Sequence, residues 1–178
     1  ASIQGISALE ASGAIAAENQ VLRLLADLAG LPTSAGGVFV SGGSAGNLSA
    51  LTVARDLGRR RRGLGRGDLA RIAVSEQAHS SITNALSILD MEALVVPTED
   101  HILTGAALAA ALDADPDSAN VVGVVATSGT TNAGIVDHLA TVGGVARERN
   151  LWFHVDGAYG GGGLFAPAKG PLAGREMA

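Results

Sequence analysis

Apolar positions Ile15, Val21, Leu22, Leu25 and Leu28 recur at helical spacing within residues 8 to 29, and Gly30-Leu31-Pro32 closes the pattern. The chain therefore opens on an amphipathic helix. The apolar run Gly37-Val38-Phe39-Val40-Ser41 predicts a strand, followed by a glycine-serine turn and a helix from about Ala45 through Leu57. The same alternation then repeats: strand near 71 to 75, helix 80 to 90, strand 93 to 97, helix 104 to 113, strand 120 to 127, helix 138 to 149, and a short buried strand at 151 to 155. Strands alternating with helices of this length imply crossover units. The expected fold is α/β, a three-layer α/β/α sandwich with a mostly parallel sheet, in one domain. Asp113-Ala114-Asp115-Pro116-Asp117 reads as an exposed turn.

Composition narrows the function classes. A net charge of -5 argues against a nucleic-acid partner, which would need a concentrated basic face. The run Arg59 to Arg62, followed by Arg66, is the local exception; it is expected just beyond the helix end, where cations suit the dipole and stay solvated. Cysteine is absent, which excludes disulfides and thiolate metal sites and permits a reducing cytoplasm. The four histidines at 79, 101, 138 and 154 lack metal-ligand spacing. No apolar run is long enough to span a bilayer and no secretory leader is visible, so the expectation is a cytoplasmic protein without a membrane partner.

Three segments carry candidate chemistry. Ser41-Gly42-Gly43-Ser44-Ala45-Gly46-Asn47 lies between the expected strand and helix, where backbone N–H groups and the helix dipole favour an anion. It is either a phosphate cradle or a plain structural turn; it has neither the lysine of a triphosphate-binding loop nor the glycine spacing of a dinucleotide fold. Ser75-Glu76-Gln77-Ala78-His79-Ser80-Ser81 brings His79 to the ligand edge of the sheet, as a structural residue or as a flat ring with a proton-bearing nitrogen. Leu151-Trp152-Phe153-His154-Val155-Asp156-Gly157-Ala158-Tyr159-Gly160-Gly161 ends an apolar run in a carboxylate at the edge where open α/β sheets bind ligands. Asp156 either works there or caps a turn. The glycines at 157 and 160 to 163 read as an open loop shaped around a ligand. Between these, Val125 to Gly134 ends a strand in a hydroxyl-rich loop, which by itself reads as local hydroxyl-to-backbone bonding. Asp137, Arg147 and Glu148 are expected at the surface or at helix caps, and His154, facing away from Phe153 and Val155, is expected to be structural.

Together, and in this order, the three segments resemble the pyridoxal-phosphate-dependent (group II) amino-acid decarboxylases, the group that includes the aromatic amino-acid and glutamate decarboxylases. The resemblance runs from the helix near Asn19 to Pro167. It implies the large domain of the fold-type-I transferases, pyridoxal 5'-phosphate as cofactor, an amino-acid substrate and a homodimer. Residue by residue, it makes Gly43 and Ser44 phosphate contacts, stacks His79 on the pyridine ring where it helps position substrate, adds Thr131 as a cofactor contact, sets Asp156 against the pyridine nitrogen and packs Ala158 on the other ring face. His79 and Asp156 are the expected catalytic residues. The family's Schiff-base lysine follows a histidine and comes later than Lys169, the only lysine here. The chain is therefore expected to be a fragment, residues 1 to 178 of a partial large domain without the lysine segment and the C-terminal small domain. The implied reaction is decarboxylation of an L-amino acid to an amine and carbon dioxide. Aminotransfer, carbon–carbon lysis, or a non-catalytic domain lacking the lysine are the alternatives.

Overall fold

A computed structural model describes residues 11–65 and 67–166. Helix α1 spans Ser12–Leu28 and α2 spans Gly43–Arg62; then β1 (Arg71–Ser75), α3 (Ser80–Ile88), β2 (Glu92–Val96), α4 (Gly105–Ala114), β3 (Val121–Thr127), α5 (Leu139–Glu148) and β4 (Trp152–Asp156) alternate without interruption. The four strands form one sheet in the order β2-β1-β3-β4, every pairing parallel. Helices cover both faces, giving the three layers expected from the sequence.

Alternation along the strands divides the core in two. Ile72 and Val74 of β1 turn to the face covered by α2 and α3, where they meet Leu51, Ala54, Ile82 and Leu86. Ala73 turns to the face covered by α4 and α5, with Leu108, Leu112, Val142 and Ala146. In the centre, β3 is buried along its whole length, as a parallel strand covered on both faces must be. Its register against β1 slips by one residue between Val121 and Gly123, so the extra residue, Val122, bulges towards α2. Helix α2 meets it with Gly58: a Cβ added there would stand 2.4 Å from the Val122 Cβ.

Four expectations need correction. The stretch Val38-Phe39-Val40 is not a strand: it finds no partner in the sheet, stays exposed, and is tethered to α1 by the Phe39 N–H donating to Glu18 (3.2 Å). An apolar run without a neighbouring strand has nowhere to place its backbone hydrogen bonds. Helix α2 does not stop near Leu57 but runs on through Arg62, so the four arginines form its last turn rather than a loop. There their cations face the negative end of the helix dipole, and Arg59 and Arg62 also donate to the backbone carbonyls of Asp68 and Arg149, both at 2.9 Å. The glycine run after β4 folds into a 3-10 helix, Gly160–Phe165, instead of an open loop. Asp137 is buried, not a surface residue. Its carboxylate accepts the N–H groups of Leu103 (2.8 Å) and Thr127 (2.6 Å), tying the approach to α4 to the end of β3. Burial pushes this carboxyl's pKa up, against the opposing pull of the two N–H donors and His138. Lys169 and the segment after Ala166 lie outside the described residues.

Candidate active site

Parallel strands present their carboxyl ends along one edge, and the loops leaving β1, β3 and β4 there enclose a cavity of about 270 Å³. The start of α2 forms its remaining wall. All six residues singled out from the sequence line this one cavity: Gly43 and Ser44 from α2, His79 after β1, Thr131 after β3, and Asp156 and Ala158 at the end of β4. The loops are stapled to one another, with the Ser128 N–H donating to the Asp156 carbonyl and the Gly160 N–H to the Ser128 carbonyl, both at 2.9 Å.

Gly43 and Ser44 open helix α2, where the first N–H groups have no carbonyl behind them in the helix. The cavity therefore has donors and the positive end of a dipole on one side. Gly43 also permits the close approach of α2 to the loop after β4, since a Cβ on it would lie 2.9 Å from that of Ala158. On the opposite side His79 is the N-cap of α3 and its Nδ1 accepts the Ser81 N–H (3.2 Å). Gln77 adds a polar rim, its amide 3.3 Å from His101, which in turn meets Glu76 at 2.9 Å.

Asp156 is the last residue of β4 and is buried. One oxygen accepts the Ala158 N–H (3.1 Å) and the other the Asn47 amide (2.9 Å). The same amide nitrogen reaches the Ser81 hydroxyl at 2.9 Å, that hydroxyl lies 2.8 Å from His79 Nδ1, and Asn47 Oδ1 lies 2.8 Å from His154 Nε2. His154 shares the Asp156 face of β4, and burial lowers its pKa despite the nearby carboxylate, so it is neutral near pH 7. Among the described residues no arginine or lysine pairs with Asp156. The carboxylate meets only neutral donors from the protein and turns to the cavity.

Asn47 and Ser81 lie within the sequence motifs, but no role is predicted for them from the motifs alone. Both had a visible signal. The buried stripe of α2 is Asn47, Leu51, Ala54 and Gly58, and that of α3 includes Ser81, Ile82, Ala85 and Leu86, so each is a polar side chain on an otherwise apolar helix face.

An all-parallel α/β sandwich with a cavity outside the carboxyl ends of its strands, walled by a helix start and floored by an acid, defines a ligand-binding α/β domain of the open-sheet class. Residues 3–176 match the pyridoxal-dependent decarboxylase conserved domain, and the chain belongs to that family. It is 36% identical over 166 residues to the L-2,4-diaminobutyrate decarboxylase of Rhizobium meliloti (strain 1021), covering 90% of this chain and 33% of that protein. The aromatic-L-amino-acid decarboxylase of Bacillus atrophaeus is 34% identical over 156 residues, covering 84% of this chain and 31% of its own length. Among solved structures, Oryza sativa TDC with PLP and tryptamine superposes with a TM-score of 0.82 at 30% identity, over 98% of this chain and 41% of that one. The chain thus spans about a third of the length of these curated relatives. Among the described residues no helix is long and apolar enough to cross a membrane.

Proposed function

We propose that this chain is the central part of the large domain of a pyridoxal-phosphate-dependent enzyme that decarboxylates an L-amino acid to an amine and carbon dioxide. The observation that carries the reading is Asp156, a buried carboxylate that lines the cavity and has no cationic partner among the described residues. A buried charge calls for an opposite one, and a protonated pyridine nitrogen supplies it.

The other walls fit the same cofactor. The helix start at Gly43 and Ser44 suits its phosphate, His79 offers a flat ring to one face of the pyridine, the small Ala158 suits the other face, and the Thr131 hydroxyl adds a polar contact. When bound, the cofactor supplies an electron sink for the pair left on Cα as the bond to the carboxylate breaks and carbon dioxide departs. Asp156 holds the ring nitrogen protonated, and Asn47 and the Ala158 N–H hold Asp156. His79 would stack on the ring and has a nitrogen within the cavity wall for substrate. The Schiff-base lysine is placed outside these residues, because Lys169 has no histidine before it. A homodimer, as the family resemblance implies, in the cytoplasm, as the absence of cysteine permits, completes the proposal.

The test is product analysis on the full-length protein with pyridoxal phosphate and a panel of diamino, acidic and aromatic L-amino acids. Amine and carbon dioxide in equal amounts, without keto acid, are expected. Keto acid in place of amine would move the reaction to aminotransfer, and cofactor binding unchanged in Asp156→Ala would remove the site assignment altogether.

A further inference from the structure

We infer that Asn47 and Ser81 are positioning residues that fix the tautomer of His79, leaving Nδ1 bare and the ring proton on Nε2. The direction of every hydrogen in this chain of contacts follows from the Asn47 amide, whose nitrogen only donates and whose oxygen only accepts. That nitrogen lies 2.9 Å from Asp156 Oδ2, which fixes the orientation of the amide. The second hydrogen of that nitrogen points at the Ser81 Oγ, 2.9 Å away. Asn47 Oδ1 is then an acceptor facing His154 Nε2 at 2.8 Å, so that nitrogen carries the hydrogen of a neutral ring.

Ser81 has a single hydroxyl hydrogen. With Asn47 donating into its oxygen, that hydrogen is directed at His79 Nδ1, 2.8 Å away. The Ser81 backbone N–H converges on the same nitrogen at 3.2 Å. Two donors on one ring nitrogen require a lone pair there, and a neutral imidazole with a bare Nδ1 carries its hydrogen on Nε2. Among the described residues Nε2 has no protein partner, and His79 lines the cavity. The relay therefore links the carboxylate floor of the cavity to the protonation pattern of its imidazole wall through two neutral side chains. That this hydrogen serves a substrate rests on the decarboxylase reading; the tautomer does not.

Long-range proton–nitrogen correlation spectra of the full chain without cofactor read the tautomer directly, with His79 assigned by its loss in His79→Gln. Wild type is expected to show a bare Nδ1 and a protonated Nε2. Ser81→Ala removes one of the two donors and is expected to lower the Nε2–H to Nδ1–H ratio roughly tenfold, one hydrogen bond's worth, while Ser81→Thr keeps the hydroxyl and restores it. Asn47→Asp replaces the donor with an acceptor, so the Ser81 hydroxyl turns away from His79 and the ratio falls as in Ser81→Ala, the Ser81 backbone N–H still facing Nδ1. A wild-type Nδ1–H ring, or equal ratios in Ser81→Ala and Ser81→Thr, overturns the inference. Those two serine variants decide it if Asn47→Asp does not fold. A pyridoxal-phosphate titration of the same samples tests the cofactor reading separately, since the tautomer is measured in its absence.

Discussion

Replacing Gly58 by alanine asks how tightly α2 must lie against the sheet. Two effects oppose each other. Alanine in a helix interior is favoured over glycine by about 1 kcal/mol. Against this, the new methyl would sit 2.4 Å from the Val122 Cβ and 2.9 Å and 3.1 Å from its two γ-carbons. Ordinary carbon contacts lie at about 3.5–4.0 Å, so the shortest one is too close by about 1 Å, and it involves an atom fixed to the strand backbone that no rotamer change can move. Overpacking of this kind costs about 1–3 kcal/mol, and the upper end applies because the helix itself has to lift. The net expectation for Gly58→Ala is a loss of about 1–2 kcal/mol despite the better helix former. With a urea slope of about 2 kcal/mol per molar for a small protein, the midpoint falls by roughly 0.5–1 M. Trimming the neighbour in a Gly58→Ala/Val122→Ala double variant removes the γ-carbons but not the closest contact, so a double-mutant cycle should show only partial recovery. An unfolding midpoint equal to or above wild type in the single variant would refute the close-packing argument.

Two further predictions concern the site. In Gly43→Ala the new Cβ meets that of Ala158 at 2.9 Å, so either the helix start or the loop carrying Asp156 must shift; pyridoxal-phosphate affinity, read by fluorescence titration, is expected to fall about tenfold or more with the far-ultraviolet dichroism unchanged, for a cost of about 1.4 kcal/mol or more. For His154, burial holds the folded-state pKa below the ordinary value of 6.5. As pH falls through 6.5 the unfolded chain binds a proton that the folded chain refuses, so stability declines from 6.5 down to the folded pKa, with a slope of at most about 1.4 kcal/mol per pH unit for this one group. His154→Gln, whose amide can still donate to Asn47, should flatten that part of the urea-stability curve; an identical pH dependence in both proteins would show that His154 is not the group responsible.

The α/β alternation was legible because each strand of the sheet is a short apolar run bounded by turn residues and each helix is long enough to be told from it. Its failures have specific causes. Val38 to Val40 has strand composition, but composition does not say whether a neighbouring strand exists to receive its hydrogen bonds. Helix α2 was cut short because the apolar stripe ends at Gly58, whereas the arginines that extend it are held by the dipole and by carbonyl contacts from other parts of the chain. The buried position of Asp137 was invisible because its two N–H donors, from Leu103 and Thr127, come from segments brought together only by the fold. At the site, the six residues taken from motifs gather around one cavity. Which of them are linked, and through which side chains, was not written in the spacing.

The buried stripe of α2 explains why that linkage has the form it does. Asn47 has a short side chain, and it reaches Asp156, Ser81 and His154 together only if the helix backbone lies close to the sheet. Further along the same stripe, Ala54 and Gly58 are small, and the bulged Val122 of β3 fills the space they leave. A helix with leucines in their place would stand off by the thickness of a side chain, and the amide would no longer meet the carboxylate. The packing at one end of α2 and the polar relay at the other, about 16 Å apart along the helix axis, are thus two consequences of one close helix–sheet contact. Polar side chains as short as Asn47 and Ser81 can be buried there because every polar hydrogen of these side chains has an acceptor and each side-chain oxygen has a donor, and that partnership is what the close approach makes geometrically possible.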